Sequence, residues 1–451
     1  MNIFKLSNLK YYAVSFWFLA LFPGRIGYDN VQALNTIRSG QSTDWWTAQY
    51  FWLLKISSVN GNAVYLTSFL SLIIGIYSIK RFIYAFQLSN RTNELSLLVL
   101  SVFPLLPVFM LTISHDAFAA SGLVLLTSLL VSKSHEIKDF PHRKVFDFML
   151  SILLLTTTFS GQIIAVFALF SFLILYRNLK ALILIASVLV VFFVSFFGVT
   201  KTIPSEKFLW PMIADIKCVV QHPEADTQPD LWIFLQTLAP ISEWKAPVSC
   251  NKMDYAAGII NEDALKQVNK IEFIGHYLSV AASNPQIVIV AHLQKSQGVL
   301  PPPFFQPPKN MISWDSEKPV GLGVDSSLQT QSEVLHISID SEDYRYANSF
   351  LRVFEALALL PVFFINQASW FWGWAGFWFL FLVWSGFHFK VRNRNVHLAP
   401  VIVFMAILFA TSPEPSARYS MGIILLGFTS FVLILVHKFF GEEEVKQNLV
   451  G

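Results

Sequence analysis

The chain has 451 residues, 54% hydrophobic and 14% charged, with 43 Phe and a formal net charge of +3. A mean hydropathy of +0.53 means more apolar surface than one soluble core can hide, which predicts an all-α polytopic membrane protein. The scattered basic residues form no patch interleaved with aromatics, so nucleic acid is excluded as the expected partner.

In chain order, Lys5 and Lys10 precede the first apolar run, and Pro23-Gly24-Arg25 offers no small-residue cleavage site, so this run reads as an uncleaved first span. Apolar runs near 8–24, 62–79, 95–113, 117–132, 146–160, 162–177, 181–200, 367–388, 397–412 and 419–437 predict about ten transmembrane helices, measured against about 30 Å of hydrocarbon. Lys80, Arg81 and Arg91, then Lys133, Lys138, Arg143 and Lys144, then Arg177 and Lys180, then Lys390, Arg392 and Arg394 mark the cytoplasmic loops. Both termini are then cytoplasmic, and 25–61, 114–116, 201–348 and 412–418 face outward. Residues 349–366 are apolar but interrupted by Arg352, Glu355 and Pro361, which suits an interfacial or re-entrant helix; an eleventh span is the alternative.

These runs divide the chain into an N-terminal transmembrane module (1–200), an extracytoplasmic region of α-rich or mixed structure (201–348) and a C-terminal transmembrane module (349–451). The middle region alone has ordinary soluble composition. It holds the only two cysteines, Cys218 and Cys250, whose pairing in an oxidising compartment is worth about 3–4 kcal/mol by the chain-entropy model. Two unpaired thiols are the other reading.

The chemistry-bearing residues gather in the outward loops. Pro23-Gly24 ends the first run in a turn, which puts Asp29 at the membrane surface, at the depth of a lipid headgroup. Asp44 and an aromatic cluster with Trp45 and Trp46 follow, and His115-Asp116 occupies the second outward loop. A carboxylate at a bilayer midplane costs about 2.5–3.5 kcal/mol on insertion scales, so acids in such a chain belong in water, a cavity or a reacting centre. The alternatives are structural: Asp29 and Asp44 as helix N-caps, Trp45 and Trp46 as interfacial anchors, and His115-Asp116 as a hydrogen-bonded pair.

Asp29 before "NVQ", Asp44 in "SGQSTDWW", His115-Asp116 in "TISHDAFAASGLVLL" and Arg418-Tyr419 in "PEPSARY" together resemble the GT-C superfamily of integral membrane glycosyltransferases. The match covers most of the apolar part of the chain and none of 201–348. The resemblance implies a GT-C-like fold and a polyprenyl-phosphate-linked sugar donor. It also implies a glycan or glycolipid acceptor, as in enzymes that decorate O-antigen or cell-wall polysaccharide, and a place in the bilayer of the inner membrane. An inverting transfer needs a base, for which Asp29 is the first candidate and Asp44 the second. It also needs a cation at the leaving phosphate, for which Arg418 is the candidate, with Arg25 and Lys295 behind it. His115 and Asp116 are the candidate ligands of a divalent cation, Mg2+ or Mn2+, or else orient the base. Tyr419, Trp45 and Trp46 are candidate donor contacts, and His292 and Gln294 read equally as a solvated helix face.

Two other classes compete. A polysaccharide polymerase is expected to carry several Arg in its large outer loops, whereas Arg345 is the only one in 201–348. A carrier or flippase needs polar groups deep within several spans, yet 62–79, 181–200 and 397–412 contain no charge. The absence of Walker, HExxH, CxxC and GxSxG motifs removes support from ATP-driven transport, zinc proteolysis and serine hydrolysis.

Overall fold

The computed structural model describes residues 6–22, 24–26, 28–40, 46–132, 142–175, 209–246, 260, 262–296, 299, 353–354, 356–358, 361, 369–391, 394–411 and 417–441. The N-terminal part runs α1 (Leu6–Ala20), β1 (Arg25–Ile26), α2 (Tyr28–Arg38), α3 (Ala48–Ser57), α4 (Val64–Ala85), α5 (Asn90–Val102), α6 (Leu105–Met110), β2 (Thr112–Ile113), α7 (His115–Val131), α8 (His142–Leu155) and α9 (Phe159–Leu175). Then come α10 (Trp210–Gln221), α11 (Pro229–Leu238), α12 (Ile241–Lys245), α13 (Glu262–Gln267), α14 (Lys270–Ser283) and α15 (Pro285–Lys295). The chain closes with α16 (Ser369–Trp372), α17 (Ala375–His388), α18 (Arg394–Thr411), α19 (Ala417–Val436) and a π-helical turn (His437–Gly441).

The helical reading of the apolar runs meets a correction in their lengths. Among the described residues two helices are long and apolar enough to cross a membrane, Val64–Ala85 and Ser420–Phe440, and four other apolar helices are shorter. About ten transmembrane helices, and the GT-C-like architecture that went with them, are therefore not supported among the described residues. The reasons are local. The run at 95–113 is cut at Pro104, where α5 ends and the six-residue α6 begins, because proline lacks an amide donor and restricts the residue before it. At 17 residues, α7 is about 25 Å long, short of the roughly 30 Å of hydrocarbon. Lys80 and Arg81, assigned to a loop, lie inside α4. The run at 181–200 and most of 349–366 lie outside the described residues.

The apolar residues instead build helix against helix. α7 is buried on all sides, packed by α4, α8, α18 and α19, as expected of a helix that is hydrophobic all round. Close approach is made possible by small residues: a Cβ added at Gly427 of α19 would lie 2.0 Å from the Trp378 carbonyl oxygen of α17. One apolar core joins α1, α4 to α9 and α17 to α19. A smaller one joins α2, α3 and the start of α7. A third, around Trp244, Leu235 and Phe273, belongs to α10 to α15 alone. In that region Cys218 is disulfide-bonded, and Cys250 is the only other cysteine of the chain.

Ion pairs tie neighbouring helices. Asp147 of α8 is fully buried, accepting hydrogen bonds from Arg81 and from Tyr77 of α4. Glu94 of α5 pairs with Lys10 of α1 and accepts from the Tyr84 hydroxyl at 2.9 Å. A buried carboxylate without such partners costs several kcal/mol, on the order of 3–5.

Candidate functional site

The site grows from one short parallel strand pair. β1 follows α1 and pairs with β2, Arg25 opposite Thr112 and Ile26 opposite Ile113. Gly24 enters this pairing with φ +120°, and a Cβ there would lie 1.8 Å from the Ser68 Oγ and 3.2 Å from the Leu111 carbonyl oxygen. Only glycine meets both the left-handed backbone and the close approach.

Each strand is followed by a single residue and then a helix. Asp29 therefore falls on the second residue of α2, and Asp116 on the second residue of α7. Asp29 stands inside the helix rather than at its N-cap. Acids in a first turn are favoured by the helix dipole. The two segments, Arg25-Ile26-Gly27-Tyr28-Asp29 and Thr112-Ile113-Ser114-His115-Asp116, share the order Ile, small residue, ring, Asp. That echo is too short to stand out without the strand pairing.

Ser114 caps α7, its Oγ accepting the Asp116 N–H at 3.0 Å and donating to the Asp116 carboxylate at 3.2 Å. The His115 Nε2 lies 3.6 Å from the Asp116 Oδ1. Asp116 is buried, whereas the His115 side chain keeps 21% of its surface exposed, so the site opens beside the imidazole.

A third helix start closes the group. Thr47, not Asp44, caps α3: its Oγ1 accepts the Tyr50 N–H at 3.3 Å and donates to the Thr157 carbonyl at 2.8 Å. The Thr157 Oγ1, in the turn between α8 and α9, shares its one proton between the Leu154 carbonyl at 2.6 Å and the His115 carbonyl at 3.0 Å. The Tyr50 hydroxyl donates to the buried Asn30 Oδ1 of α2 at 2.5 Å, and the Tyr50 ring meets the His115 ring edge-on at 5.3 Å. Asn30 and Thr157 are not singled out from sequence, and Tyr50 only as one ring of the aromatic cluster that begins at Trp45. Thr157 sits in a Thr156-Thr157-Thr158 run between two apolar stretches, which was the available signal.

The other predicted residues fall as follows. Asp44 and Trp45 lie outside the described residues. Trp46 is buried in the core shared by α2, α3 and α7. Arg25 is in β1, and Arg418 and Tyr419 form the first turn of α19. Four residues on from Arg418, a Cβ added at Gly422 would lie 3.2 Å from the Ala120 Cα, itself four residues on from Asp116. Among the described residues no group of three or more His, Cys, Asp or Glu forms a metal-holding cluster, so His115 and Asp116 stand as two donors.

Lys295 and His292 belong to a different place. Asp215 of α10, fully buried, takes Lys295, the His292 Nε2 at 2.8 Å and the Tyr277 hydroxyl at 3.1 Å. Lys295 also donates to the Pro211 carbonyl at 3.2 Å. Burial lowers the Lys295 ammonium below its ordinary range, with Asp215 opposing, and burial raises the Tyr277 hydroxyl, with Asp215 reinforcing. This cluster ties α10, α14 and α15 together.

No family model, curated protein or solved structure matches the chain.

Proposed function

We propose that this protein is an inverting glycosyltransferase that moves a sugar from a polyprenyl-phosphate donor to an extracytoplasmic glycan or lipid acceptor. The observation that carries the reading is the β1–β2 pair, which sets Asp29 and Asp116 at the same position of two helices that start side by side. In this reaction the acceptor hydroxyl oxygen attacks the anomeric carbon, its proton passes to a carboxylate, and the bond from that carbon to the phosphate oxygen breaks. Asp29 is the base in this reading. Arg418 meets the charge that grows on the departing phosphate. His115 and Asp116 orient the base or hold a divalent cation, which supplies charge stabilisation at the phosphate when bound.

Two features support a membrane setting. Large apolar side chains are exposed at helical spacing, such as Tyr65, Phe69 and Ile73 on α4 and Phe146, Met149 and Leu153 on α8, which suits contact with a bilayer. The Cys218 disulfide suits an oxidising compartment for the 201–348 region.

The test is transfer of radiolabelled sugar from a panel of polyprenyl-phosphate donors by membranes holding wild type or Asp29→Asn at matched expression. Transfer by the wild type that is lost in the variant supports the reading. Absence of transfer from every donor returns the chain to a carrier or a polymerase.

A further inference from the structure

Three buried polar atoms at this site have no hydrogen-bond partner: the Trp46 Nε1, the Gln49 Nε2 and the His115 Nδ1. Trp46 and Gln49 are each more than nine-tenths buried. A buried donor left unsatisfied costs about 1–3 kcal/mol, so such atoms are rare unless something pairs with them. Here three fall within a few residues of one junction. Trp46 directly precedes the α3 cap, Gln49 is the second residue of α3, and the Thr47–Thr157–His115 bonds bind the start of α3 to the start of α7.

Their chemistry narrows the ligand. The indole N–H and the amide –NH2 only donate, the imidazole nitrogen donates or accepts, and the neighbouring Asp116 carboxylate accepts. An anion is disfavoured beside that carboxylate. An apolar ligand would leave the donors unpaired. A hydroxyl group both donates and accepts, and a pyranose offers several on one face.

We propose that Trp46, Gln49 and His115 form a subsite for a sugar ring, reading adjacent hydroxyl groups and so setting which sugar the protein accepts. This rests on the reading of the protein as a sugar transferase. Gln49 is the new element and acts through binding, not through the transfer of a proton.

The experiment is saturation-transfer NMR on the purified full chain with the methyl β-pyranosides of glucose, galactose, mannose and xylose, using wild type, Trp46→Phe and Gln49→Leu. Trp46→Phe keeps an aromatic ring and loses the N–H; Gln49→Leu keeps the volume and loses the amide; circular dichroism verifies that both fold. At least one glycoside is expected to give saturation transfer at its ring protons, weakened tenfold or more by either substitution. Deoxygenation at one hydroxyl should weaken binding to wild type and leave Gln49→Leu unchanged. No binding by any of the four, equal binding by all three proteins, or displacement by inorganic phosphate at millimolar concentration overturns the subsite. If a glycoside binds as expected and no lipid-linked donor supports transfer, the subsite stands and the transferase reading falls.

Discussion

Ile26 pairs with Ile113 in parallel register, and three residues beyond each lies an aspartate at the start of a helix. The relationship joins segments more than 80 residues apart and depends on the backbone at Gly24. Gly24→Ala is therefore expected to lower stability by more than the about 1–3 kcal/mol of a strained backbone alone, because its Cβ also meets Ser68. Gly40, with φ +69° and nothing within 4 Å, is the control that carries strain only. Thermal unfolding of the two variants should rank them in that order, with sugar transfer lost in Gly24→Ala and retained in Gly40→Ala.

Thr157 holds the His115 carbonyl and receives Thr47. Thr157→Val should cost about 1 kcal/mol of stability for the lost hydrogen bond yet reduce transfer by tenfold or more, since the start of α7 is no longer held against α3. Thr157→Ser keeps the hydroxyl and should recover most of the rate. A kinetic comparison at saturating donor checks this.

How far the sequence revealed this site depends on the kind of residue. Asp29, His115 and Asp116 were legible because a carboxylate beside an apolar run is costly and so conspicuous. Thr47 and Thr157 were not, because a hydroxyl in a helical chain is ordinary and its partner lies far along the sequence. The apolar runs at 62–79 and 117–132 fall on α4 and α7. The ten-span count failed because apolar length measures burial and not its solvent: the all-buried α7 faces other helices, and Pro104 splits a run that composition alone joins.

Lys295 and Asp215 form a buried pair in the α10–α15 core. Lys295→Met should destabilise that region by about 3–5 kcal/mol, the range for removing one partner of a buried pair. Asp215→Asn with Lys295→Met should recover a substantial part of the loss. The buried Trp244 of the same core reports the transition by fluorescence in denaturant.

Tyr277 gives the same core an alkaline limit. Burial, followed by the charge and hydrogen bond of Asp215, raises its hydroxyl above the ordinary 10.0. The folded state then keeps a proton that the unfolded state releases, so this contribution is full below about pH 10 and is lost as pH rises through the folded value. Wild type minus Tyr277→Phe stability should be flat at neutral pH and fall above 10, as measured by urea unfolding across that range.

The most direct test of the paired-aspartate site is a double-mutant cycle of sugar transfer with Asp29→Asn, Asp116→Asn and both together, at matched expression. Groups that act as one unit are not additive. The account predicts that each single variant loses 100-fold or more and that the double is scarcely worse than either. Losses that multiply, or an Asp116→Asn variant with wild-type transfer, would contradict a single site built on the β1–β2 pair.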